Sequence, residues 1–340
     1  MKFLWYLVFL ETDIQGQKKN NPSSFKHCNQ IYNPLNGIFT ALYEICSPLP
    51  IIELAVKQHN NDPLGVSPHR GTSARHPKIR TTRPYWNARC NALMDMIIQK
   101  GNPTLFFTLS SADFHWPEVY NLLGYEFKNL SHRKKSKIIA ENPLYFDTYF
   151  VLKARYFVEK CMKDKFNIKD FWYRFEYQHR GSIHLHGVLW LNDGPNTNNV
   201  KTEKDKAEII KYFSNLISCE NPNINVKLRD VQNKEHDLAL LVNVVQRHTK
   251  CSNNYCLRKK GKKSKEKCRF GFPKQLCEKP NLVMNETEIK EINFERNDPF
   301  LNKYNPWILQ TWRANIDVTP IINSDSIIRY ISKYVSKSEG

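Results

Sequence analysis

Residues 171–190 read FWYRFEYQHRGSIHLHGVLW. Successive side chains of a strand point to opposite faces, so the first part sets Phe171, Tyr173, Phe175 and Tyr177 on one face and Trp172, Arg174, Glu176 and Gln178 on the other. The second part sets His184, His186, Val188 and Trp190 on one face and Ile183, Leu185 and Leu189 on the other. Between them lies His179-Arg180-Gly181-Ser182, a short glycine-containing turn that predicts a hairpin. Such a hairpin brings Glu176 or Gln178 beside the two imidazoles. Two imidazole nitrogens and one carboxylate or amide oxygen form a three-sided metal site, with positions open for a phosphate oxygen and water. The same pattern also suits a half-buried hairpin whose histidines face solvent or a core edge.

A second pair stands near the end of the chain. Ile327, Ile328, Ile331 and Val335 recur at helical spacing, after candidate caps Ser324 and Asp325. Tyr330 and Tyr334 then lie one turn apart, roughly 6 Å between Cβ atoms, with Lys333 and Lys337 on an adjoining stripe. A phenol attacks phosphorus slowly at neutral pH unless a metal polarises the phosphate and cations stabilise the developing charge. The alternative is an amphipathic helix with two packing aromatics. Taken with the histidines, the pair points to a metal-assisted tyrosine nuclease acting on single-stranded DNA.

A separate set, His248-x₂-Cys251-x₄-Cys256-x₁₁-Cys268, has the short spacings of a zinc site and lies across the basic stretch 257–269. Four N/S ligands leave no open position, so the expected role of Zn²⁺ is structural. Unrelated reduced cysteines in a basic loop are the alternative. His236 and Cys277 fall outside the pattern.

Together these blocks resemble a known family. Residues 175–187, FEYQHRGSIHLHG, resemble the metal-binding motif of HUH endonucleases, specifically the Rep domain of Helitron rolling-circle transposases. Residues 103–116, PTLFFTLSSADFHW, resemble that family's first strand and loop, and 312–317 with 330–337 resemble its two-tyrosine segment. The zinc block also resembles one in that family, ending in CRFGFP at 268–273. The resemblance runs from about residue 85 onward and implies an α+β fold, a mainly antiparallel sheet flanked by helices. It makes His184 and His186 ligands of a catalytic Mg²⁺ or Mn²⁺, and Tyr330 and Tyr334 nucleophiles aided by Lys333 and Lys337. Glu176 is the preferred third ligand, because Glu-x₇-His-x-His is the arrangement of related viral replication initiators, and Gln178 is its competitor. Asp113 and His115 are expected to contact DNA or fix the loop, a plain strand-end turn being equally open.

The implied activity is nicking and transfer of single-stranded DNA, at transposon ends and target, through a 5′-phosphotyrosine, with a nuclear location. Tyr330 is expected to make the first nick. A catalytically silent DNA-binding remnant is the alternative. The family carries a helicase, yet these 340 residues hold no Gly-x₄-Gly-Lys-[Ser/Thr], since Gly261-Lys262 lacks the preceding glycine and the following hydroxyl. ATP-driven unwinding is therefore not expected of them, and the helicase is expected elsewhere in a longer protein unless the chain is a truncated relic.

Composition agrees with a nucleic-acid partner: 51 Lys and Arg stand against 33 Asp and Glu, a net charge of +18. The excess gathers at 76–83, 132–137 and 258–269. Arg80, Arg83, Arg180, Arg258, Lys259, Lys260 and Arg269 are candidate phosphate contacts, with Tyr85, Trp86 and Phe270 available for base stacking. Nine cysteines form no disulfide framework, which predicts a reducing compartment. The apolar run 1–10 is short and lacks a small-x-small cleavage site, so it does not read as a secretory leader, and no stretch approaches a membrane span.

The expected organisation is an N-terminal region (1–84, partly irregular, a short helix within 38–56), a first part of the core (85–242), a zinc module (243–280) and a final part with the tyrosine helix (281–340). Helices are expected near 86–99, 143–163, 203–218, 234–246 and 306–313, strands near 104–110 and 316–322, the hairpin at 172–191, and a loop at 192–202.

Overall fold

The computed structural model describes residues 83–177, 182–197, 200–226, 236–253, 256–258, 266–285, 288–323 and 326–327, all within the unit Arg80–Gly340. The N-terminal region and the helix expected within 38–56 lie outside the described residues.

Helix α1 (Arg83–Lys100) has Pro84 in its first turn and ends at Gly101, whose positive φ of 80° lets its N–H reach back to the Ile97 carbonyl at 2.9 Å. Strand β1 (Leu105–Ser110) follows, then α2 (Pro117–Leu122), α3 (His132–Glu141) and α4 (Pro143–Tyr156), the last continued by a π-helical turn, Phe157–Met162. The hairpin forms as the alternation predicts, from β2 (Ile168–Tyr177) and β3 (Ile183–Leu191). Helix α5 (Glu203–Leu216) starts at a capping box between Thr202 and Asp205. Helix α6 (Asp237–Leu241) runs into a second π-helical turn, Val242–Gln246. Two small hairpins come next, β4 (Leu257–Arg258) with β5 (Lys267–Cys268) and β6 (Asn281–Met284) with β7 (Ile289–Asn293). Helix α7 (Pro306–Trp312), capped by the Asn305 side chain, and β8 (Ile316–Pro320) follow.

The architecture is α+β. Four strands form an antiparallel sheet in the order β2-β3-β1-β8. Cross-strand register puts Leu105, Phe107, Leu109, Phe175, Leu185, Leu189, Ile316 and Val318 on one face. Behind it lies an aromatic layer in which Trp116 and Trp312 meet edge to face at 5.6 Å, and Phe150 of α4 meets Trp312 at 5.6 Å. Gly187 is on this face too, because the Phe107 ring lies where its Cβ would be, 2.6 Å away.

The other face is split. At one end Val188 and Trp190 pack with Leu93 of α1, Ile321 and Ile327, flanked by Phe106 and Trp172. At the other end the residues turn polar: Arg174, Glu176, His184, His186, Thr108, Ser110 and Asp317 share this face by register. Sequence reading missed three features: α2, the β6–β7 hairpin, and α3, whose basic run 132–137 reads as a solvated stretch but is a helix capped by Ser131.

Candidate functional site

The hairpin register pairs Glu176 with His184 and Arg174 with His186, while β1 pairs Thr108 with His186 and Ser110 with His184. Glu176, Arg174, His186, Thr108 and Ser110 are all buried. Buried polar side chains gathered in one place are more informative than any exposed one.

His186 Nε2 lies 2.9 Å from Glu176 Oε2. Two adjacent ligands of an octahedral ion with bonds of about 2.1 Å stand about 3 Å apart, so this pair already has the separation that a cation between them requires. The far nitrogens are held from behind. His186 Nδ1 is 2.9 Å from Thr108 Oγ1, and His184 Nδ1 is 3.2 Å from the Ser182 carbonyl. A carbonyl only accepts, so His184 donates from Nδ1 and keeps the lone pair on Nε2. Thr108 offers His186 the same choice once a cation replaces the Nε2 proton. The two rings stack at 6.4 Å between centroids.

Burial holds both imidazoles below the ordinary histidine pKa. For His186 it outweighs the upward pull of Glu176, and Arg174 adds to the lowering. Neutral imidazoles are the form that binds metals. Thr108, Ser182 and Arg174 were not singled out from sequence. For Arg174 the signal was present, two residues before Glu176 on the same strand face.

Asp113 is only partly exposed and is bonded to the hydroxyls of Ser111 and Ser182, while its carbonyl accepts from Tyr120 Oη at 2.8 Å. A carboxylate so engaged ties the loop after β1 to Ser182, just before β3. The His115 N–H closes a turn on Ala112 at 2.7 Å, and its exposed side chain stands near Lys135 and His132. Gln178, Arg180, Arg80, Lys259 and Lys260 lie outside the described residues, and Arg83 is described only as the first residue of α1.

Tyr330, Lys333, Tyr334 and Lys337 also lie outside the described residues. The candidate caps Ser324 and Asp325 lie outside them too. Asn323 Oδ1 accepts from the Ser326 N–H at 2.9 Å. Ile327 is buried with Val188 and Trp190 on the histidine-bearing face.

The second cluster closes as its spacing predicts. The donor atoms of His248, Cys251, Cys256 and Cys268 all lie within 4.8 Å of one another, and these four could hold a metal such as zinc. His248 Nε2 is 3.1 Å from Cys251 Sγ, 3.5 Å from Cys256 Sγ and 3.6 Å from Cys268 Sγ. Tetrahedral zinc with bonds of about 2.3 Å to sulfur and 2.0 Å to nitrogen sets S···N near 3.6 Å, so two of the three distances need no change. Hairpin β4–β5 pairs Leu257 with Cys268, Arg269 N–H bonds the Cys256 carbonyl at 2.7 Å, and Gly271 turns the chain with φ 73°. Burial opposes ionisation of Cys268, yet amide hydrogen bonds from Phe272 and Phe270, together with hydrogen bonds from the Cys251 and Cys256 thiols, bring it below its ordinary pKa. Arg258 and Arg269 flank this cluster, with Arg269 stacked on Phe270 at 4.6 Å.

Residues 51–189 match the family described as the Helitron helicase-like domain at the N-terminus. That stretch is Helitron-like. It spans α1 through most of β3 and so contains Glu176, His184 and His186. No curated protein matches the chain. Among the described residues no helix is long and apolar enough to cross a membrane.

Proposed function

We propose that this chain is a metal-dependent endonuclease and strand transferase for single-stranded DNA, of the HUH type, serving a Helitron-like transposon in the nucleus. The observation that carries the reading is the polar half-face: Glu176 and His186 at 2.9 Å, His184 beside them, and both Nδ1 atoms held from behind. Glu176, His184 and His186 would hold Mg²⁺ or Mn²⁺, which would supply polarisation of the scissile phosphate. Arg174 stands next to His186 and adds positive charge where the phosphorane develops its negative charge.

A phenol of Tyr330 or Tyr334 attacks phosphorus and gives its proton to solvent or base, the P–O3′ bond breaks, and the departing 3′-oxygen takes a proton from water to become the 3′-hydroxyl as a 5′-phosphotyrosine forms. The bond energy is retained for rejoining. The other tyrosine, four residues away in sequence, takes a second phosphate while the first end stays attached, as transfer from donor to target requires. The zinc is structural at His248, Cys251, Cys256 and Cys268, and unwinding falls to a helicase elsewhere in the full-length protein.

The test is a denaturing gel of the chain incubated with a single-stranded oligonucleotide and Mn²⁺. A covalent adduct is expected that disappears with EDTA and with His184→Ala/His186→Ala, and that does not form on the intact duplex. Tyr330→Phe should lose the first nick, and Tyr334→Phe should keep it but fail at transfer. Adducts persisting in the Tyr330→Phe/Tyr334→Phe protein would remove this pair as nucleophiles. DNA binding without any adduct would leave the silent remnant as the reading.

A further inference from the structure

Three cations outside the site just described are brought together by the return path of the zinc module. The Lys274 N–H bonds the Pro299 carbonyl at 2.7 Å, Cys277 and Arg296 exchange backbone bonds at 3.2 and 2.7 Å, and Arg296 Nη1 holds the Leu301 carbonyl at 2.5 Å. Tyr304 pairs with Ser218 by a bridge, which sets Lys303 beside Cys219, and Gln246 Nε2 holds the Lys303 carbonyl at 2.9 Å. The thiol of Cys219, buried to 1% exposure, lies within electrostatic reach of Arg296, Lys303 and Lys274 alike. All three cations are half-buried.

No carboxylate lies within ion-pair distance of any of the three among the described residues. The nearby acid Asp298 is committed to Arg247 at 2.7 Å and to Asn221. Lys274 is pushed below its ordinary pKa first by burial and then by Arg296 and Lys303, with Asp317 a weaker pull the other way. Cations gathered against mutual repulsion, without a carboxylate among them, are suited to an anion that arrives from outside.

We infer that Lys274, Arg296 and Lys303 form a phosphate-binding site for the backbone of single-stranded DNA, a nucleotide or more away from the phosphate at His184 and His186. This rests on the proposed nuclease reading for its partner. Two observations favour DNA over a free anion. Gln246 Nε2, which holds the Lys303 carbonyl, also holds the carbonyl of Ile316 at 2.5 Å, so Lys303 is tied to the start of β8, next to Asp317 on the sheet face that carries His186. Phe270, 41% exposed, stands next to them, its carbonyl accepting from Lys274 Nζ at 3.5 Å, and Lys274 lies 5.1 Å from the Phe272 ring. Cations interleaved with aromatics follow a backbone while bases stack.

The experiment measures binding of a fluorescent single-stranded oligonucleotide against salt, for the wild-type chain and Lys274→Gln/Lys303→Gln. Arg296 is kept because its guanidinium also holds Leu301. Zinc content and circular dichroism report folding. Each phosphate contact contributes about 0.7 to the slope of log K against log salt for single strands, so the double variant should lose roughly 1 to 1.5 in slope and about fivefold or more in affinity. The exposed pair Lys163→Gln/Lys165→Gln removes the same charge elsewhere and should change little. Should the double variant not fold, lysine acetylation of the wild-type chain replaces it: the oligonucleotide should protect Lys274 and Lys303 but not Lys163 and Lys165.

Unchanged slope and affinity, an equal loss in the control pair, or no protection would overturn the site. Protection by millimolar inorganic phosphate equal to that by DNA would overturn the assignment to a nucleic-acid backbone. Wild-type chain that binds no single-stranded DNA would defeat both this inference and the nuclease reading. A slope that drops as expected in a chain forming no adduct would defeat only the nuclease.

Discussion

Replacing Gly187 by alanine should destabilise the sheet at the strand that carries both histidines. An alanine Cβ would stand 2.6 Å from Cε1 and Cζ of Phe107 and 3.0 Å from the Trp172 carbonyl oxygen, about 1 Å short of ordinary carbon contact to the ring. Phe107 has 0% exposure, so its ring cannot swing into solvent. Either the ring is driven against its neighbours or β3 lifts away from β1. Overpacking of this kind costs about 1–3 kcal/mol, and each kcal/mol is worth about 2–4 °C in a unit of this size.

Urea titration and thermal melting of Gly187→Ala against wild type measure the loss. Phe107→Leu shortens the offending side chain at some cost of its own, yet the Gly187→Ala/Phe107→Leu protein should be more stable than the two single losses add up to, by about 1 kcal/mol or more. A Gly187→Ala protein within about 0.5 kcal/mol of wild type, or strictly additive losses, would refute the reasoning.

Other expectations concern the two candidate metal clusters. The purified chain should carry about one zinc, and Cys256→Ser should lose it and loosen the β4–β5 hairpin; elemental analysis decides, and folded wild-type chain without zinc would count against the site. Thr108→Val, which removes the hydroxyl behind His186 Nδ1, should weaken Mn²⁺ binding about 10–100-fold by calorimetry, while Thr108→Ser keeps it. Because burial lowers both imidazole pKa values, the unfolded chain binds protons there that the folded chain refuses. Metal-free protein should therefore lose stability as pH falls below about 6.5. His184→Ala/His186→Ala should flatten that dependence, as urea midpoints across this range would show.

The hairpin was legible because strand alternation is local: residues 173–178 and 183–186 alternate on either side of a short glycine-containing stretch. Alternation left Glu176 and Gln178 both open beside the histidines, and the register of the folded sheet pairs Glu176 with His184. The zinc ligands were legible for the same reason, all four falling within a short stretch whose spacing is itself geometric. What holds the histidines was not legible. Thr108 and His186 are 78 positions apart and meet only because β1 inserts between β3 and β8. Helix α3 buries only Ile138 among its charges, too little apolar periodicity to announce a helix. Lys274, Arg296 and Lys303 come together through backbone bonds across the module's return, where no periodicity operates.

The zinc module leaves the core and rejoins it at one place. Arg247 bridges to Leu301, the His248 N–H bonds the Phe300 carbonyl at 2.8 Å, and the Asn302 N–H bonds the Gln246 carbonyl at 3.2 Å. Entry and exit are thus neighbours, and the roughly fifty residues between them form a closed excursion. Lengthening such a loop is cheap, about 0.6 kcal/mol for each doubling. The excursion can therefore gain or lose residues at its outer tip without moving the strands it springs from. A segment joined in this way behaves like a cartridge: it is free to vary in length while the four-stranded sheet stays in register.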